Sequence, residues 1–361
     1  MIDNNQVVDI LRTIKDPTTG VDLISSKRVS ELKVNEKQIM FTLSVNDLGQ
    51  QAKFAINSEC YALLKDRFKE AEIHIHFANK SGGGEKTILP QVKNVIAVGS
   101  GKGGVGKSTV SVNLALSLQK QGYKVGLMDA DLYGPSIPTM MGLLDAKPKI
   151  QDVYGKPKLI PVEKHGIHVI SIGFIIEPEQ AVILRGPRLS GVIKQFINDC
   201  IWPELDFLII DLPPGTGDIQ LTLVQSVPIT GAVVVTTPQQ VAVADAVKAT
   251  NMFALDSIKV PILGIVENMA WFTPAELPDN KYYIFGKGGA NELAKKYKTV
   301  VLGQIPLIQS IREGGDSGEP TILNDEHGQA AMFAKLAGRF VKQVSLRNEL
   351  LGKTAIVKVT K

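Results

Sequence analysis

Short runs of consecutive apolar residues recur through most of the chain. They cover residues 95–98, 125–128, 167–172, 207–210, 232–235, 262–266 and 300–302. Most runs are continuous rather than alternating, which is typical of strands that are buried on both faces of a sheet. Segments long enough for a helix follow several of them. The pattern predicts an α/β fold with a doubly wound, mostly parallel sheet.

The first 78 residues follow a different pattern. Helix-like spacing or strand-like composition marks residues 6–12 (helix), 39–45 (strand), 59–70 (helix) and 71–77 (strand). Asp16-Pro17 follows the first helix, and a proline disfavours helical continuation at that point. Residues 1–78 are therefore expected to form a small N-terminal α/β domain.

A polar, glycine-rich segment separates the two patterns. Residues 79–86 read Asn-Lys-Ser-Gly-Gly-Gly-Glu-Lys, a composition that cannot bury apolar surface and has few side chains to order. We expect residues 79–90 to form a flexible linker. Residues 91–361 would then form the second, larger domain.

Composition excludes several classes of protein. The 361 residues are 44% hydrophobic and 21% charged, with a formal net charge of +4, which is too small for a nucleic-acid coat. No apolar run approaches the roughly 20 residues that span a bilayer, and the N-terminus does not resemble a secretory signal. Cys60 and Cys200 are the only cysteines, so a disulfide scaffold and a single-chain all-cysteine metal site are excluded. We expect a cytoplasmic protein that binds neither nucleic acid nor membrane.

The residues directly after the first apolar run carry the strongest chemical signal. Residues 101–108 have Walker A spacing, with a predicted strand before them and a helix from about residue 107 to 121 after them. Glycines let backbone N–H groups surround phosphate oxygens, and the helix N-terminus adds the positive end of its dipole. We predict that ATP phosphates bind Gly99, Ser100, Gly101, Lys102, Gly103, Gly104, Val105, Gly106, Lys107, Ser108 and Thr109.

Individual side chains of this loop have predicted roles. Lys107 is expected to reach the β- and γ-phosphates, and the Ser108 hydroxyl to ligate Mg²⁺. The predicted reaction is transfer of the γ-phosphoryl group from ATP to water, catalysed by positioning and charge neutralisation.

Three aspartates end apolar runs. Asp129 and Asp131 close the second run and Asp211 closes the fourth, in a Walker B pattern. We predict that Asp129 and Asp211 belong to the Mg²⁺ site with Ser108, and that Asp131 orients the attacking water. A turn at 213–218 follows, whose backbone is placed to sense the γ-phosphate. The alternative interpretation of such aspartates is a helix N-cap.

Lys102 is a second lysine inside the loop, which phosphate binding by the backbone does not require. The loop resembles the deviant Walker A signature of the MinD/ParA/nitrogenase-iron-protein class. This resemblance implies that Lys102 reaches across a nucleotide-sandwich homodimer to the phosphates of the other subunit. Hydrolysis would then be slow in an isolated subunit. The alternative is a solvated loop lysine.

Further segments resemble the Mrp/ApbC group of P-loop ATPases. They are residues 129–138, 185–187, 211–218, 237–239, 267–269 and 305–320. The resemblance covers residues 91 to about 337, and the N-terminal domain looks like a small iron–sulfur-assembly domain. It implies a homodimeric ATPase that carries a [4Fe–4S] cluster to apoproteins, with Asn268 and Pro306 contacting adenine.

The chain departs from this family at the cluster site. Family members have a Cys-x-x-Cys pair shortly after the Glu-Asn-Met strand, whereas residues 270–286 contain no cysteine, and neither do 44–50. Iron–sulfur clusters are ordinarily held by thiolates. Cys200, Cys60 and the His74/His76 pair are possible replacements, but buried apolar packing of the cysteines and a solvated strand face for the histidines are simpler interpretations.

Two functional hypotheses remain open. The first is an ATP-dependent iron–sulfur cluster carrier or assembly factor. The second is an ATP-switched scaffold or regulator of MinD/ParA type that has lost the cluster, with Trp271, Phe272, Tyr282 and Tyr283 as local core or as a protein-contact surface.

A partition or division ATPase would need a membrane-binding or basic segment. The amphipathic stretch 331–346 instead predicts a helix docked on the sheet, and residues 354–361 would add an edge strand or remain free.

Overall fold

The chain divides into two units, Met1–Thr87 and Ile88–Lys361. The computed structural model describes residues 2–16, 19–35, 38–44, 50–77, 89–132, 134–153, 155–175, 186–255, 258–274, 276–277, 279–324 and 328–351. Most of the predicted linker, residues 79–88, and the segment 354–361 lie outside the described residues. Leu89, near the end of the predicted linker, is buried in the core of the second unit.

The described residues of the first unit form a three-stranded sheet and two helices. Its elements are α1 (Asn4–Thr13), β1 (Val29–Val34), β2 (Gln38–Leu43), α2 (Gln50–Arg67) and β3 (Glu72–Phe77). The central strand β2 pairs antiparallel with β1 and parallel with β3. Helix α2 begins well before the predicted residue 59, so Cys60 lies inside it and not at its start. The small core includes Leu11, Phe41 and Cys60.

A buried ion pair connects separate parts of this unit. The Arg28 guanidinium donates to both carboxylate oxygens of Asp16, from Nε at 2.9 Å and from Nη2 at 3.1 Å. Its Nη1 also donates to the carbonyl oxygen of Ser44 at 2.9 Å. The pair thus links the segment after α1 to the end of β2. Two desolvated charges depend on each other here, so removing one leaves the other uncompensated.

We expect Arg28→Met to destabilise the first unit by about 3–5 kcal/mol, because Asp16 would keep a buried charge without its cation. Hydrogen exchange over residues 2–77 measures this directly. Both tryptophans, Trp202 and Trp271, belong to the second unit, so their fluorescence reports that unit separately. Arg12→Met is the matched control, because its 3.7 Å pair with Asp9 is exposed, and such pairs contribute at most about 1 kcal/mol. Equal losses in the two variants would contradict the prediction.

The second unit alternates strands and helices. Its strands are β4 (Val92–Gly99), β5 (Val125–Asp129), β6 (Lys149–Val153), β7 (Lys156–Ile160), β8 (Val162–Lys164), β9 (Ile167–Ser171), β10 (Leu205–Asp211), β11 (Gly231–Thr236), β12 (Ile262–Phe272) and β13 (Val301–Leu307). Its helices are α3 (Lys107–Lys120), α4 (Ile137–Met140), α5 (Gly186–Asp199), α6 (Asp218–Ser226), α7 (Gln240–Ala254), α8 (Gly289–Lys296), α9 (Gln309–Ser317) and α10 (Gln329–Leu350).

Eight strands form the main sheet, in the order β13-β12-β11-β4-β10-β5-β9-β8. Every neighbouring pair is parallel except β8–β9, which is antiparallel at one edge. The predicted apolar runs correspond to the seven parallel strands. Strands β6 and β7 form a separate antiparallel hairpin. The doubly wound, mostly parallel sheet is therefore confirmed.

Helices cover both faces of this sheet. One core joins alternate strand residues to α5, α6, α7 and α8, with Phe196, Leu223 and Phe253 among its members. The other joins the remaining strand residues to α3 and α10, through Leu114 and Phe340 among others. The predicted docking of the C-terminal amphipathic helix on the sheet is confirmed, since Phe333, Leu336 and Phe340 are fully buried or nearly so.

A membrane-spanning helix is not found: none of the described helices combines sufficient length with sufficient apolar character to cross a bilayer.

Candidate functional site

The phosphate loop (residues 99–109) lies between β4 and α3, at the carboxyl edge of the sheet. Its backbone takes conformations that favour glycine. Gly104 and Gly106 have φ of +77° and +79°, in the left-handed region that costs side-chain-bearing residues energy. Gly106 immediately precedes the first residue of α3. The first turn of the helix therefore points its free N–H groups back into the loop.

Three neighbouring elements hold this loop in place. The Gly215 N–H after β10 donates to the Ser100 carbonyl at 2.9 Å, and the Asn268 side-chain amide donates to the Val105 carbonyl at 2.8 Å. Gly101 packs so closely on α7 that a Cβ there would lie 2.1 Å from the Asp245 backbone. The loop is thus shaped before any ligand binds.

Asp211 is the centre of the polar network beneath the loop. Its Oδ2 accepts hydrogen bonds from Lys107 Nζ at 2.7 Å and from Ser108 Oγ at 2.6 Å. Asp211 has no solvent exposure and Lys107 has only 6%. The structure thus brings together the Walker A lysine, the Walker A hydroxyl and the Walker B carboxylate, as the sequence predicts.

The other Asp211 oxygen has a partner that sequence reasoning missed. Ser111 Oγ donates to Asp211 Oδ1 at 2.6 Å, and Ser111 is fully buried. A signal was present in the sequence, because Ser111 stands four residues after Lys107 and three after Ser108, which places the three on one helix face. Without the sheet topology, nothing indicated that this face meets Asp211.

Asp129 and Asp131 extend the network on the neighbouring strand. Asp129 is paired with Asp211 in the register of β5 and β10. Its carboxylate accepts hydrogen bonds from the Asp131 N–H at 3.1 Å, the Ser171 hydroxyl at 3.0 Å and the Ile137 N–H at 3.3 Å. These donors fix the side chain and end the strand in a defined turn.

Asp131 lies beside the same lysine as Asp211. Its Oδ2 is 3.6 Å from Lys107 Nζ, and the residue is only 8% exposed. Lys107 is therefore the cation shared by two buried carboxylates.

The Ser108 hydroxyl and the Asp211 carboxylate are in contact below the loop and offer hard oxygen donors. Such donors suit Mg²⁺, which usually keeps several waters and binds through one or two protein oxygens. The residues of the site therefore fit the ion without a dense ligand cage. In the described parts of the chain, no three His, Cys, Asp or Glu side chains converge as a metal site.

Two known protein families match separate parts of the chain. Residues 91–341, more than two thirds of the chain, match the ParA family described as NUBPL iron-transfer P-loop NTPases. The chain belongs to this family. Residues 4–75 match a second family, described as iron-sulfur cluster assembly proteins.

Known relatives match this chain over most of its length. A Synechocystis protein named iron-sulfur cluster carrier protein is 40% identical over 351 residues, which is 96% of this chain and 99% of the relative. An Escherichia coli protein of the same name is 48% identical over 261 residues, 72% of this chain and 69% of the relative. The predicted resemblance to cluster carrier ATPases of the MinD/ParA-like class is confirmed.

Two solved structures resemble the NTPase unit. A nucleotide-binding protein from Archaeoglobus fulgidus, in complex with ADP, is 41% identical, with a TM-score of 0.57 over 66% of this chain and 91% of that one. The cell division ATPase MinD from Pyrococcus furiosus is 25% identical, with a TM-score of 0.51 over 69% and 99% of the two chains. Both support the P-loop NTPase fold.

Three further residues are predicted to contact the nucleotide, namely Lys102, Asn268 and Pro306. Lys102 is half-buried in the loop, and no carboxylate among the described residues forms an ion pair with it. Pro306 is buried near the end of β13, and Asn268 is 6% exposed with its amide nitrogen directed to the loop. Contact of either residue with adenine stays a prediction. The Asp218 side chain and Arg185 lie outside the described residues.

Neither cysteine is placed as an accessible ligand. Cys60 and Cys200 are both buried, and burial raises the pKa of the Cys60 thiol to about 12 and raises that of Cys200 as well. Both are therefore protonated at neutral pH, and their interpretation as buried apolar packing is confirmed. His74 is on the exposed side of β3, 3.8 Å from Glu72, whereas the side chain of His76 lies outside the described part.

Aromatic residues occupy the segment where the family has its cysteine pair. Strand β12 continues past Asn268 through a register shift, and Phe272 forms an isolated bridge with Tyr282. Tyr282 and Tyr283 are 45% and 40% exposed, while Trp271 is half-buried beneath the Lys281 ammonium, 4.3 Å from its ring centre. Trp271 and Phe272 are thus partly covered and Tyr282 and Tyr283 exposed, and none of the four lies in a hydrophobic core of the described residues.

We expect the nucleotide-free, Mg²⁺-free protein to lose stability between about pH 4 and pH 7 because of Asp129. Burial, and then repulsion by Asp211, raise the pKa of Asp129 to about 7, whereas an unfolded aspartate titrates near about 3.9. Between these values the folded state holds a proton that the unfolded state releases, so the free energy of unfolding falls as pH rises.

Urea denaturation in EDTA at several pH values measures this slope. Asp129→Asn should flatten it. Asp206→Asn is the control, because hydrogen bonding to Lys93 lowers the pKa of Asp206, so its removal cannot flatten the slope. A wild-type slope retained in Asp129→Asn would show that another group is responsible.

Proposed function

We propose that this protein is an ATP-hydrolysing iron–sulfur cluster carrier or assembly factor of the cytoplasm. The observation that carries the proposal is the Lys107–Ser108–Asp211 network beneath a preformed phosphate loop. Family membership and the full-length likeness to relatives named cluster carriers support it. The match of residues 4–75 to assembly proteins supports a role in the same process.

The network would bind a nucleoside triphosphate together with Mg²⁺. When bound, the ion neutralises phosphate charge and polarises the phosphoryl oxygens. Lys107 would exchange its contact with Asp211 for the β- and γ-phosphates, and Ser108 would turn its hydroxyl oxygen outward. Asp131, beside Lys107, is placed to accept a hydrogen bond from the attacking water. We also propose that the substrate is ATP and not another nucleoside triphosphate.

Lys102 would act in a homodimer that forms across the nucleotide. Its ammonium is not engaged by a described carboxylate, and it stands in the same loop as the phosphate-binding glycines. If a second copy faced this loop, Lys102 of each copy would lie near the phosphates bound by the other copy. It would add positive charge there that the nucleotide-binding subunit does not supply alone. The resemblance to MinD/ParA-like enzymes supports this arrangement.

We expect Lys102→Ala to retain ATP affinity within about threefold while losing ATP-dependent dimerisation, because the loop backbone supplies most phosphate contacts. Sedimentation velocity with and without Mg-ATP measures the dimer, and a fluorescent ATP analogue measures affinity. Lys248→Ala is the control, since Lys248 is exposed and pairs with Asp245 three residues earlier. Normal ATP-dependent dimers of Lys102→Ala would refute the proposed role.

An iron–sulfur cluster carried as cargo would need ligands from the protein. One subunit has two cysteines, both buried and protonated, and carboxylates such as Glu276 are hard ligands that suit iron–sulfur clusters poorly. This observation favours a second candidate function, an ATP-switched scaffold for other assembly proteins. In that case the exposed Tyr282 and Tyr283 would belong to a protein-contact surface, where aromatic residues are enriched.

Anaerobic reconstitution with iron and sulfide separates the two functions. A carrier should retain iron and sulfide through gel filtration, absorb near about 400 nm and activate an apo-enzyme. The Cys60→Ser/Cys200→Ser double variant then shows whether the chain's own thiols hold the cargo. Colourless protein that still binds Mg-ATP would contradict carriage and support the scaffold, whereas failure to bind Mg-ATP would contradict both.

A further inference from the structure

The two oxygens of Asp211 have partners of different kinds. Oδ2 accepts from Lys107 and Ser108, the two residues that the proposed function assigns to phosphate and to Mg²⁺. Oδ1 accepts from the hydroxyl of Ser111 at 2.6 Å. Unlike Lys107 and Ser108, Ser111 has no assigned contact with phosphate or Mg²⁺.

Ser111 is placed too deeply to reach the nucleotide. It lies in the second turn of α3 and has no solvent exposure. Its hydroxyl carries one proton and faces two acceptors, Asp211 Oδ1 at 2.6 Å and the Lys107 carbonyl at 3.1 Å. The carboxylate is the closer and the charged acceptor, so the proton is directed to Asp211.

Ligand binding must change the surroundings of Asp211. Lys107 and Ser108 cannot keep both donors on Oδ2 while they serve phosphate and ion, so Oδ2 loses these hydrogen bonds. A carboxylate with neither oxygen fixed rotates easily, since the terminal torsion of aspartate has a broad energy well. The Ser111 contact is the hydrogen bond that remains.

We propose that Ser111 is a positioning residue for magnesium–nucleotide binding, which rests on the proposed ATP site. Its hydroxyl fixes Oδ1 of Asp211, so that Oδ2 stays on the side of Lys107 and Ser108 when those residues turn to the ligand. Asp211 thus has one oxygen anchored to the fold and one that exchanges partners.

The test is the Mg²⁺ requirement for nucleotide binding by the full chain. A fluorescent ADP analogue is titrated in EDTA and then at increasing Mg²⁺. In Ser111→Ala we expect the Mg²⁺ concentration for half-maximal tightening to rise about tenfold, the scale of one charge-assisted hydrogen bond. Affinity in EDTA should change by less than about twofold, because the Ser111 hydroxyl contacts the Lys107 carbonyl and not the Lys107 ammonium.

Ser117→Ala is the matched control. Ser117 is on the same helix, 1% exposed, and donates to the Asn113 carbonyl four residues earlier at 2.6 Å. It reproduces the loss of a buried helix hydroxyl without touching Asp211. An equal shift in both variants would identify a general helix effect and overturn the inference.

Two further variants keep the test decisive if Ser111→Ala does not fold. Ser111→Thr retains the hydroxyl and should keep the wild-type Mg²⁺ requirement, whereas Ser111→Cys has a similar size but a weak donor and should raise it. A wild-type requirement in folded Ser111→Ala, or in Ser111→Cys, overturns the proposal. Failure of the unaltered chain to bind nucleotide with Mg²⁺ would instead overturn the proposed function.

Discussion

The second unit depends on a carboxylate that has no contact with solvent. Asp211 ends the strand that lies between β4 and β5, so its charge stands at the middle of the sheet's carboxyl edge. Moving such a charge out of water costs several kcal/mol unless it is paired and hydrogen-bonded. Lys107, Ser108 and Ser111 supply that compensation, and all three belong to the first two turns of α3. The carboxylate therefore fixes the helix that shapes the phosphate loop.

This dependence explains why the loop is formed before a ligand arrives. The Lys107 ammonium is shared between Asp211 at 2.7 Å and Asp131 at 3.6 Å, so two strand ends hold the lysine at the base of the loop. In the proposed function, a triphosphate would compete with these carboxylates for the same cation. Binding is then an exchange of ion-pair partners rather than an ordering of free chain, and preorganisation of this kind lowers the entropic cost of association.

The sequence predicted the parts of this architecture that are encoded locally. Continuous apolar runs marked the seven parallel strands, and glycine spacing marked the loop, because both depend on neighbouring residues. Strand β1 (Val29–Val34) and the hairpin of β6 and β7 escaped, since polar residues interrupt their sequences and none of their residues is fully buried. Ser111 and the loop contact of Asn268 escaped for another reason: each meets a partner about 100 or more residues away, and only the strand order brings them together.

The cysteines give the sharpest contrast between family and chain. Thiolates hold clusters because sulfur is soft and ionised, yet burial keeps both thiols here protonated, and a protonated thiol is a poor ligand. Strand β12 meanwhile continues to Phe272, whose backbone exchanges hydrogen bonds with Tyr282. The Walker A lysine and hydroxyl and the Walker B carboxylate are therefore assembled in a chain whose residues 270–286 contain no cysteine. In the proposed function, nucleotide binding at Asp211 and protein contact through Tyr282 and Tyr283 would therefore depend on different residues, so that each could be disrupted without the other.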